Sequence, residues 1–371
     1  MISAVLVYSI ALVGLIKKKS RLTTVLLFAI CFVLAWMTDD RYDYYYYELG
    51  YKQIALGTAT RFELCYVALM KLGNILGLDY YQFRGAYSFL MLLLLFCSIS
   101  KFTTEVNIPV VMGLVFPLLY MFPIQRFLGG AALVLFALRY LYQEKKHSLL
   151  KFYMLVFLAG LFHSACFFFL LAPIYKVFRN KNNYIHISLI FCVVFVVLAQ
   201  QGILNRIISA FPLGDSVINV ILNGERANLN GIIAYSIILL LVMIPGFMSV
   251  HWYPKEDRSK VSSFMDVVYN MNVLSFYTIA FRVYSIGVTR ILYIFMLVNY
   301  SAVANTLHKC RRGARNYNVH SLYLVLISAF CLMSCTFLEL YVFSPALKDA
   351  VFWVQFETNP VFELINHFFG G

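Results

Sequence analysis

The sequence predicts an all-α polytopic integral membrane protein with about twelve membrane crossings. Hydrophobic residues make up 62% of the chain, charged residues only 13%, and the mean hydropathy is +0.78. A soluble domain has roughly 45–50% apolar and 25% charged residues, so this chain cannot hide its apolar surface from water. The apolar residues also fall in runs whose length matches the hydrocarbon core of a bilayer.

The candidate spans are apolar runs separated by polar loops. The first run has no basic stretch before it and no small-residue cleavage site, so we expect a membrane span rather than a removable signal peptide. No internal repeat or linker divides the chain, which predicts one membrane domain over residues 1–371. In order along the chain, the candidate spans cover residues 2–16, 22–38, 85–100, 107–123, 126–142, 150–178, 184–201, 230–250, 264–281, 288–306 and 320–343.

Lysine and arginine residues predict the orientation, because positively charged loops stay in the cytoplasm. The basic run 17–21 lies between the first two spans. It therefore places the N-terminus outside, together with the long loop 39–84. Lys101 and the run 143–147 then fall on the cytoplasmic side.

Segment 150–178 decides the orientation of everything after it. A pair of short helices that enters and returns, with its tip near His163, keeps the later basic residues in the cytoplasm. Such a re-entrant pair is tolerated at membrane depth where it lines a cavity. It leaves loop 202–229 and the C-terminal tail 344–371 outside. A single crossing would instead expose ten basic residues, against the positive-inside rule: Lys176, Arg179, Lys181, Lys255, Arg258, Lys260, Lys309, Arg311, Arg312 and Arg315.

The net charge of +13 does not predict nucleic-acid binding. The basic residues lie in short loops at the ends of apolar runs, where they set orientation and meet the head groups of membrane lipids. The eight cysteines are scattered through the apolar runs without a C-x-x-C pair, so we expect small apolar side chains rather than a metal site.

Polar residues that a membrane span does not need gather on the predicted outer side. Asp43 lies with other carboxylates and a tyrosine cluster in residues 38–48, which offers acid–base groups beside aromatic platforms. A tyrosine belt at the membrane interface explains this composition equally well. Glu63 and Tyr66 are one turn apart on an amphipathic stretch, which is predicted to lie on the outer surface. An ordinary surface helix is the alternative there.

Arginines on the same side indicate an anionic ligand. Arg126 opens a span beside the small residues 129–132, which permit close helix packing, and Arg282 and Arg290 flank a short outer turn. A guanidinium grips phosphate with two parallel hydrogen bonds, although an arginine at a span end also snorkels to head groups. Together with the outer carboxylates, these cations fit a lipid-pyrophosphate substrate whose sugar is transferred.

His163 is an ionisable residue within an apolar segment, which is a functional position by default. A lone histidine between helices is otherwise a packing residue. Its neighbour Ser164 suggests half of a hydrolytic triad, but no G-x-S-x-G elbow accompanies the pair, which argues against a serine nucleophile.

The order of these elements resembles the EpsG family of Wzy-type membrane polymerases of exopolysaccharide, capsule and O-antigen, whose architecture is distantly similar to that of GT-C glycosyltransferases. The resemblance covers about residues 38–300. The family's D-Y-x-x-Y pattern is matched by Asp43, Tyr44 and Tyr47, and its E-P-x-Y-like element by Glu63 and Tyr66, with Leu64 in place of proline. A span that opens with Arg-Gln/Asn is matched at Arg126, with Phe127 in place of the amide. The H-x-S-A-like element is matched by His163-Ser164-Ala165 without a spacer, and the late span that opens with arginine by Arg290 and Tyr293.

The resemblance implies a glycosyltransferase of the bacterial cytoplasmic membrane that joins oligosaccharide repeat units linked to undecaprenyl pyrophosphate on the outer face. It implies no cofactor. The partners would be the lipid-linked oligosaccharide, membrane lipids and a chain-length regulator. Asp43 or Glu63 would be the general base, Arg126 and Arg290 would stabilise the pyrophosphate, and His163 would orient either partner or serve as the base. The tyrosines 42–47 would stack on sugar rings.

Two other classes of membrane protein are alternatives. A flippase of the same lipid-linked unit would show inverted repeats and polar breaks in both halves, whereas this sequence has one break and no repeat. A membrane acyltransferase that modifies polysaccharide needs a histidine with an acidic or second histidine partner, and the sequence offers no convincing example.

Overall fold

The fold is all-helical throughout the part of the chain that the structure, a computed structural model, describes. This part comprises residues 2–37, 43–58, 60, 62–143, 145–177, 181–201, 229–253, 260–282, 288–310, 316–339, 356 and 359–370. It contains helices and turns and no strand, which confirms the predicted all-α class.

The helices coincide closely with the predicted apolar runs. Every predicted span is helical over most of its described length, because each run is long enough to form a helix and apolar enough to be buried or to face lipid. The helices are α1 Ile2–Ile16, α2 Arg21–Met37, α3 Asp43–Ala55, α4 Leu64–Ile75, α5 Tyr80–Phe102, α6 Asn107–Val115, α7 Leu118–Met121, α8 Gln125–Tyr142, α9 Ser148–Gly160, a 3₁₀ helix Ser164–Val177, α10 Lys181–Gln200, α11 Leu229–Trp252, α12 Lys260–Ser275, α13 Tyr277–Arg282, α14 Thr289–Cys310, α15 Asn316–Leu338 and α16 Pro360–Gly370.

The structure differs from the sequence-based expectation at three places. The loop 39–84, which is predicted to lie outside, contains helix α3 in addition to helix α4. Two expected spans are interrupted, 107–123 at Phe116-Pro117 and 264–281 at Phe276. Proline has no backbone N–H to donate and its ring clashes with the preceding turn, which accounts for the first interruption.

Among the described residues, four helices are long and apolar enough to cross a membrane: Tyr80–Phe102, Asn230–Trp252, Thr289–Cys310 and Val319–Leu338. At about 1.5 Å per residue, 20 to 23 residues span roughly 30–35 Å, the thickness of the hydrocarbon core. The helices at the periphery of the bundle expose large apolar side chains, for example Ile190 on α10 and Phe330 on α15. Helix α14 is instead almost completely buried, so it forms the centre of the bundle. The number of crossings and the location of the termini stay predictions.

The helices align so that the bundle has two distinct ends. At one end the C-termini of α5, α8 and α14 meet, since Asn305 donates to the Phe102 carbonyl at 2.9 Å and Tyr142 donates to the Lys101 carbonyl at 3.1 Å. A cavity of about 310 Å³ there is lined by residues that include Lys101 and Lys309. These lysines belong to the loops predicted to be cytoplasmic. The N-termini of α8 and α14 therefore lie at the opposite end.

Small residues let the helices approach closely beside that opposite end. Helix α9 and the 3₁₀ helix pack on α8, where a Cβ added at Gly130 would lie 2.6 Å from Cys166 Sγ. This contact confirms that the small-residue run 129–132 permits close packing. Residues 161–163 form the turn between α9 and the 3₁₀ helix, which brings His163 to the N-terminal end of α8.

Two buried asparagine side chains link three helices in the core of the bundle. Asn272 on α12 and Asn299 on α14 donate to each other's side-chain oxygens at 2.8 and 2.9 Å. Asn299 also donates to the Val242 carbonyl on α11 at 2.7 Å. Amide bonds between apolar helices stabilise their association because the alternative is an unpaired polar group in an apolar environment.

Candidate active site

Five segments converge at the end of the bundle opposite Lys101 and Lys309. They are helix α3, the residues before α4, the N-termini of α8 and α14, and the turn between α9 and the 3₁₀ helix. Polar and charged side chains from all five come together there. The following contacts show how each is positioned.

Arg126 and Glu63 form the central ion pair of this site. The Arg126 Nη1 donates to Glu63 Oε2, and its Nε donates to the Tyr47 hydroxyl at 3.3 Å. The guanidinium also lies over the Phe62 ring, 4.9 Å from its centroid. Each side chain of the pair is 21% exposed. The cation is therefore fixed by two hydrogen bonds and an aromatic face while it remains accessible.

Glu63 also links the start of α4 to the turn that carries His163. Its second oxygen, Oε1, accepts a hydrogen bond from the Ser164 backbone N–H at 3.3 Å. The Cys65 backbone N–H donates to the Leu161 carbonyl at 3.0 Å. Because Glu63 accepts hydrogen bonds from both Arg126 and the Ser164 backbone, it fixes the Arg126 guanidinium next to the turn that carries His163.

His163 contacts Arg290 and lies close enough to Arg126 to be affected by its charge. Its Nε2 is 3.2 Å from Arg290 Nη1, and its Nδ1 is 3.3 Å from the Ala165 backbone N–H. A neutral imidazole has a single acceptor nitrogen, so the ring accepts from only one of these donors at a time. A protonated ring would accept from neither. The contacts therefore favour neutral His163 beside the Arg290 guanidinium.

Arg290 belongs to the first turn of α14 and is half-buried. The free N–H groups of a helix N-terminus attract anions, so the Arg290 charge and the helix end act in the same direction. Phe127 packs its ring edge against His163 at a centroid distance of 5.3 Å and also contacts Tyr293 at 6.1 Å. These aromatic neighbours limit the access of water to His163 and Arg290.

Tyr47 connects the tyrosine cluster to both arginines. Burial raises the pKa of Tyr47, while the charges of Arg126 and Arg290 act in the opposite direction and that of Asp43 adds to the increase. The hydroxyl therefore stays protonated at neutral pH. Asp43, at the first position of α3 and half-buried, is close enough to act on this hydroxyl.

The remaining predicted site residues lie at the margin of this group. Tyr44 stacks its edge on Tyr80 and lies under the Arg84 guanidinium, 5.1 Å from Arg84 Cζ. Tyr66 is completely buried among aromatic rings behind Tyr47. Arg282 lies over the Tyr235 ring, with its Cζ 5.6 Å from the ring centroid. The structure thus brings together Asp43, Tyr47, Glu63, Arg126, His163 and Arg290.

Sequence analysis missed three polar residues near the site. Gln125 is completely buried and donates to the Ala35 carbonyl at 3.2 Å and to Ser88 Oγ at 3.1 Å, so the amide beside Arg126 precedes the arginine instead of following it. Arg84 is 1% exposed and donates to the same carbonyl. Glu339 is buried at the end of α15. A charged residue within an apolar run is the signal that points to Arg84 and Glu339.

Some predicted residues lie outside the described part of the chain, among them Asp39, Asp40, Arg41, Tyr42 and the loop residues 202–228. Within the described part, no group of three or more His, Cys, Asp or Glu side chains has the arrangement of a metal site.

Comparison with known proteins places the chain in one family. The family model described as "EpsG family" matches residues 5–345. A search of curated proteins and a search of solved structures return no significant match.

Proposed function

Because the chain belongs to the EpsG family, which is polysaccharide polymerase-like, we propose that it joins oligosaccharide repeat units carried on undecaprenyl pyrophosphate. The reaction takes place at the outer face of the bacterial cytoplasmic membrane. The protein is then a glycosyltransferase whose donor is a lipid pyrophosphate rather than a nucleotide sugar.

The observation that carries this proposal is the convergence of Arg126 and Arg290 around His163. Arg126 Nε donates to the Tyr47 hydroxyl at 3.3 Å, Arg290 Nη1 lies 3.2 Å from His163 Nε2, and the charges of both arginines act on these two side chains. Glu63 balances the charge of Arg126, whereas Arg290 forms no ion pair with a carboxylate in the described part of the chain. An accessible pair of guanidiniums with one carboxylate partner favours a ligand with several negative oxygens. A pyrophosphate has this property, and a guanidinium binds it through two parallel hydrogen bonds.

The chemistry assigns a task to each group. The growing chain leaves undecaprenyl pyrophosphate when a hydroxyl of the next unit attacks its anomeric carbon. Arg126 and Arg290 stabilise the negative charge that develops on the departing pyrophosphate. Glu63 holds Arg126 in place, neutral His163 orients Arg290, and the tyrosines of α3 offer rings on which sugars stack. Asp43 is the accessible carboxylate at the edge of this group.

Polysaccharide profiling in a strain that lacks the gene tests the proposal. We expect the lipid carrier to accumulate a single repeat unit at the outer face and long polymer to disappear, because supply and export of the unit continue. The wild-type gene restores long polymer, whereas Arg290→Ala does not, although its protein level is normal. Lys52→Ala is the control, since Lys52 lies outside the site and forms an exposed ion pair with Glu48. Absence of the unit from the outer face would identify a flippase instead.

A further inference from the structure

A second group of buried polar residues lies next to the site, and we call it the Arg282–Glu339 cluster. Its members are Arg282, Glu339, Tyr293 and Tyr120. Arg282 and Glu339 are only 5% and 7% exposed. The Tyr293 hydroxyl donates to Glu339 Oε1 at 3.4 Å. Four different segments of the bundle contribute these side chains, so the cluster depends on the complete fold.

The hydrogen-bonding capacity of this cluster is largely unused. In the part of the chain that the structure describes, Arg282 Nε and Nη1 and the Tyr120 hydroxyl have no hydrogen-bond partner. Arg282 and Glu339 interact through their charges but form no direct ion pair among the described residues. A buried donor without a partner destabilises the fold, and native structures contain few such groups. A polar ligand that forms hydrogen bonds with these groups would remove this penalty.

The cluster is adjacent to the predicted pyrophosphate site. Tyr293 follows Arg290 by one turn of α14, and Phe127 contacts both Tyr293 and His163. Arg290 and Glu339 both act electrostatically on the Tyr293 hydroxyl. A ligand that contacts Glu339 would therefore lie one aromatic side chain away from a ligand that contacts Arg290.

We propose that the Arg282–Glu339 cluster binds the acceptor sugar and that Glu339 is the general base for its attacking hydroxyl. This inference rests on the proposed polymerase function and adds the second half of its site. Sugar hydroxyls both donate and accept hydrogen bonds, so one sugar satisfies the guanidinium of Arg282, the hydroxyl of Tyr120 and the carboxylate of Glu339 together.

In the proposed step, Glu339 accepts the proton of the acceptor hydroxyl while the hydroxyl oxygen forms a bond to the anomeric carbon of the donor chain. The bond from that carbon to the pyrophosphate oxygen breaks, and undecaprenyl pyrophosphate leaves with the electron pair beside Arg126 and Arg290. The proton on Glu339 passes to water after the product leaves.

Glu339 fits this role better than the two carboxylates predicted from the sequence. Glu63 is engaged by Arg126 and by the Ser164 N–H, so it is poorly placed to take up a proton. Asp43 is half-exposed on α3, whereas Glu339 is buried and accepts a hydrogen bond from the Tyr293 hydroxyl. A general base must lie within hydrogen-bond reach of the proton that it removes, and a sugar held by Arg282 and Tyr120 would place a hydroxyl beside Glu339.

Variants of Glu339 and Asp43 test the inference in membranes that contain the lipid-linked repeat unit. Glu339→Gln keeps the shape of the side chain and can still accept from Tyr293, so we expect normal protein levels and a loss of polymerisation rate of about 10²–10⁴-fold. Glu105→Gln is the matched control, because Glu105 is a buried carboxylate that pairs with His308 at the opposite end of the bundle, and we expect it to leave the rate per protein unchanged. Added formate should restore part of the rate of Glu339→Ala, which a structural role would not allow.

The possible outcomes separate this inference from the proposed function. Normal polymer from Glu339→Gln, with none from Arg290→Ala, would overturn the role of Glu339 and leave the polymerase assignment intact. Loss of polymer from Asp43→Asn with an active Glu339→Gln would transfer the base to Asp43. Normal polymer from both Glu339→Gln and Arg290→Ala would overturn the site as a whole.

Discussion

Replacing Arg126 with lysine tests whether this residue grips the substrate or merely anchors the chain at the membrane surface. Lysine retains the positive charge but has a single ammonium group in place of the planar fork. In the structure the fork donates simultaneously to Glu63 and Tyr47 while its face covers Phe62. An ammonium on a flexible chain cannot make these contacts together and also bind a phosphate in a bidentate manner.

The size of the effect follows from these contacts. A hydrogen bond to a charged group contributes about 1.5–3 kcal/mol, and a cation over an aromatic face contributes about 0.5–2 kcal/mol. If Arg126→Lys loses one such hydrogen bond and part of the ring contact in the transition state, the barrier rises by about 2–4 kcal/mol. At about 1.36 kcal/mol per tenfold change, this lowers the rate by roughly 30- to 1000-fold. Arg126→Ala should be only slightly worse.

The assay is the rate at which membranes consume the lipid-linked repeat unit, normalised to the amount of the protein. A double-mutant cycle with Glu63→Gln adds a second criterion. Because Glu63 positions Arg126, the double variant should be little slower than the slower single variant. Wild-type polymer from Arg126→Lys would refute the bidentate grip and support anchoring to head groups. Multiplicative effects of the two changes would refute the positioning role of Glu63.

Three further predictions concern the site, the core and the topology. His163→Ala should leave protein levels normal while long polymer falls at least about tenfold, and polymer that falls only in proportion to protein level would indicate a packing role. Gly246→Val should lower the amount of folded protein, because a Cβ at this position would lie 2.5 Å from Asn272 Nδ2 and overpacking costs about 1–3 kcal/mol. Thermal unfolding of the solubilised wild-type and variant proteins measures this effect. An unchanged midpoint would show that the neighbouring amides move to accommodate the valine. A cysteine placed at Lys260 in a cysteine-free background should be protected from an impermeant reagent in whole cells, and labelling from outside would overturn the predicted orientation.

The positions of the helices could be predicted from the sequence because each depends on a local property. A run of apolar residues long enough to span a bilayer is visible without knowledge of its neighbours. Helix α3 was not predicted, since its tyrosines show neither a clear apolar face nor an apolar run. The interruption at Pro117 was also missed, although proline in a helix interior is a known cause of such breaks.

The site could be predicted only in part, because its contacts join residues that are distant in the chain. The residue types and their predicted side of the membrane indicated Asp43, Glu63, Arg126, His163 and Arg290. The pairing of Glu63 with Arg126 joins positions 63 residues apart, and no local pattern specifies such a contact. Glu339 lies inside a predicted span, so it was not predicted as a site residue. An isolated carboxylate within an apolar run is the sequence signal that points to it.

Reconstitution of the purified protein with its lipid-linked repeat unit tests the central claim most directly. The measurement is the ladder of chain lengths on the lipid, together with the amount of undecaprenyl pyrophosphate released. We predict a ladder in which one undecaprenyl pyrophosphate is released for each repeat unit joined, and no ladder with the Arg290→Ala protein. If the wild-type protein leaves the lipid-linked unit unchanged in length while moving it across the membrane, the protein is a transporter and the account is wrong.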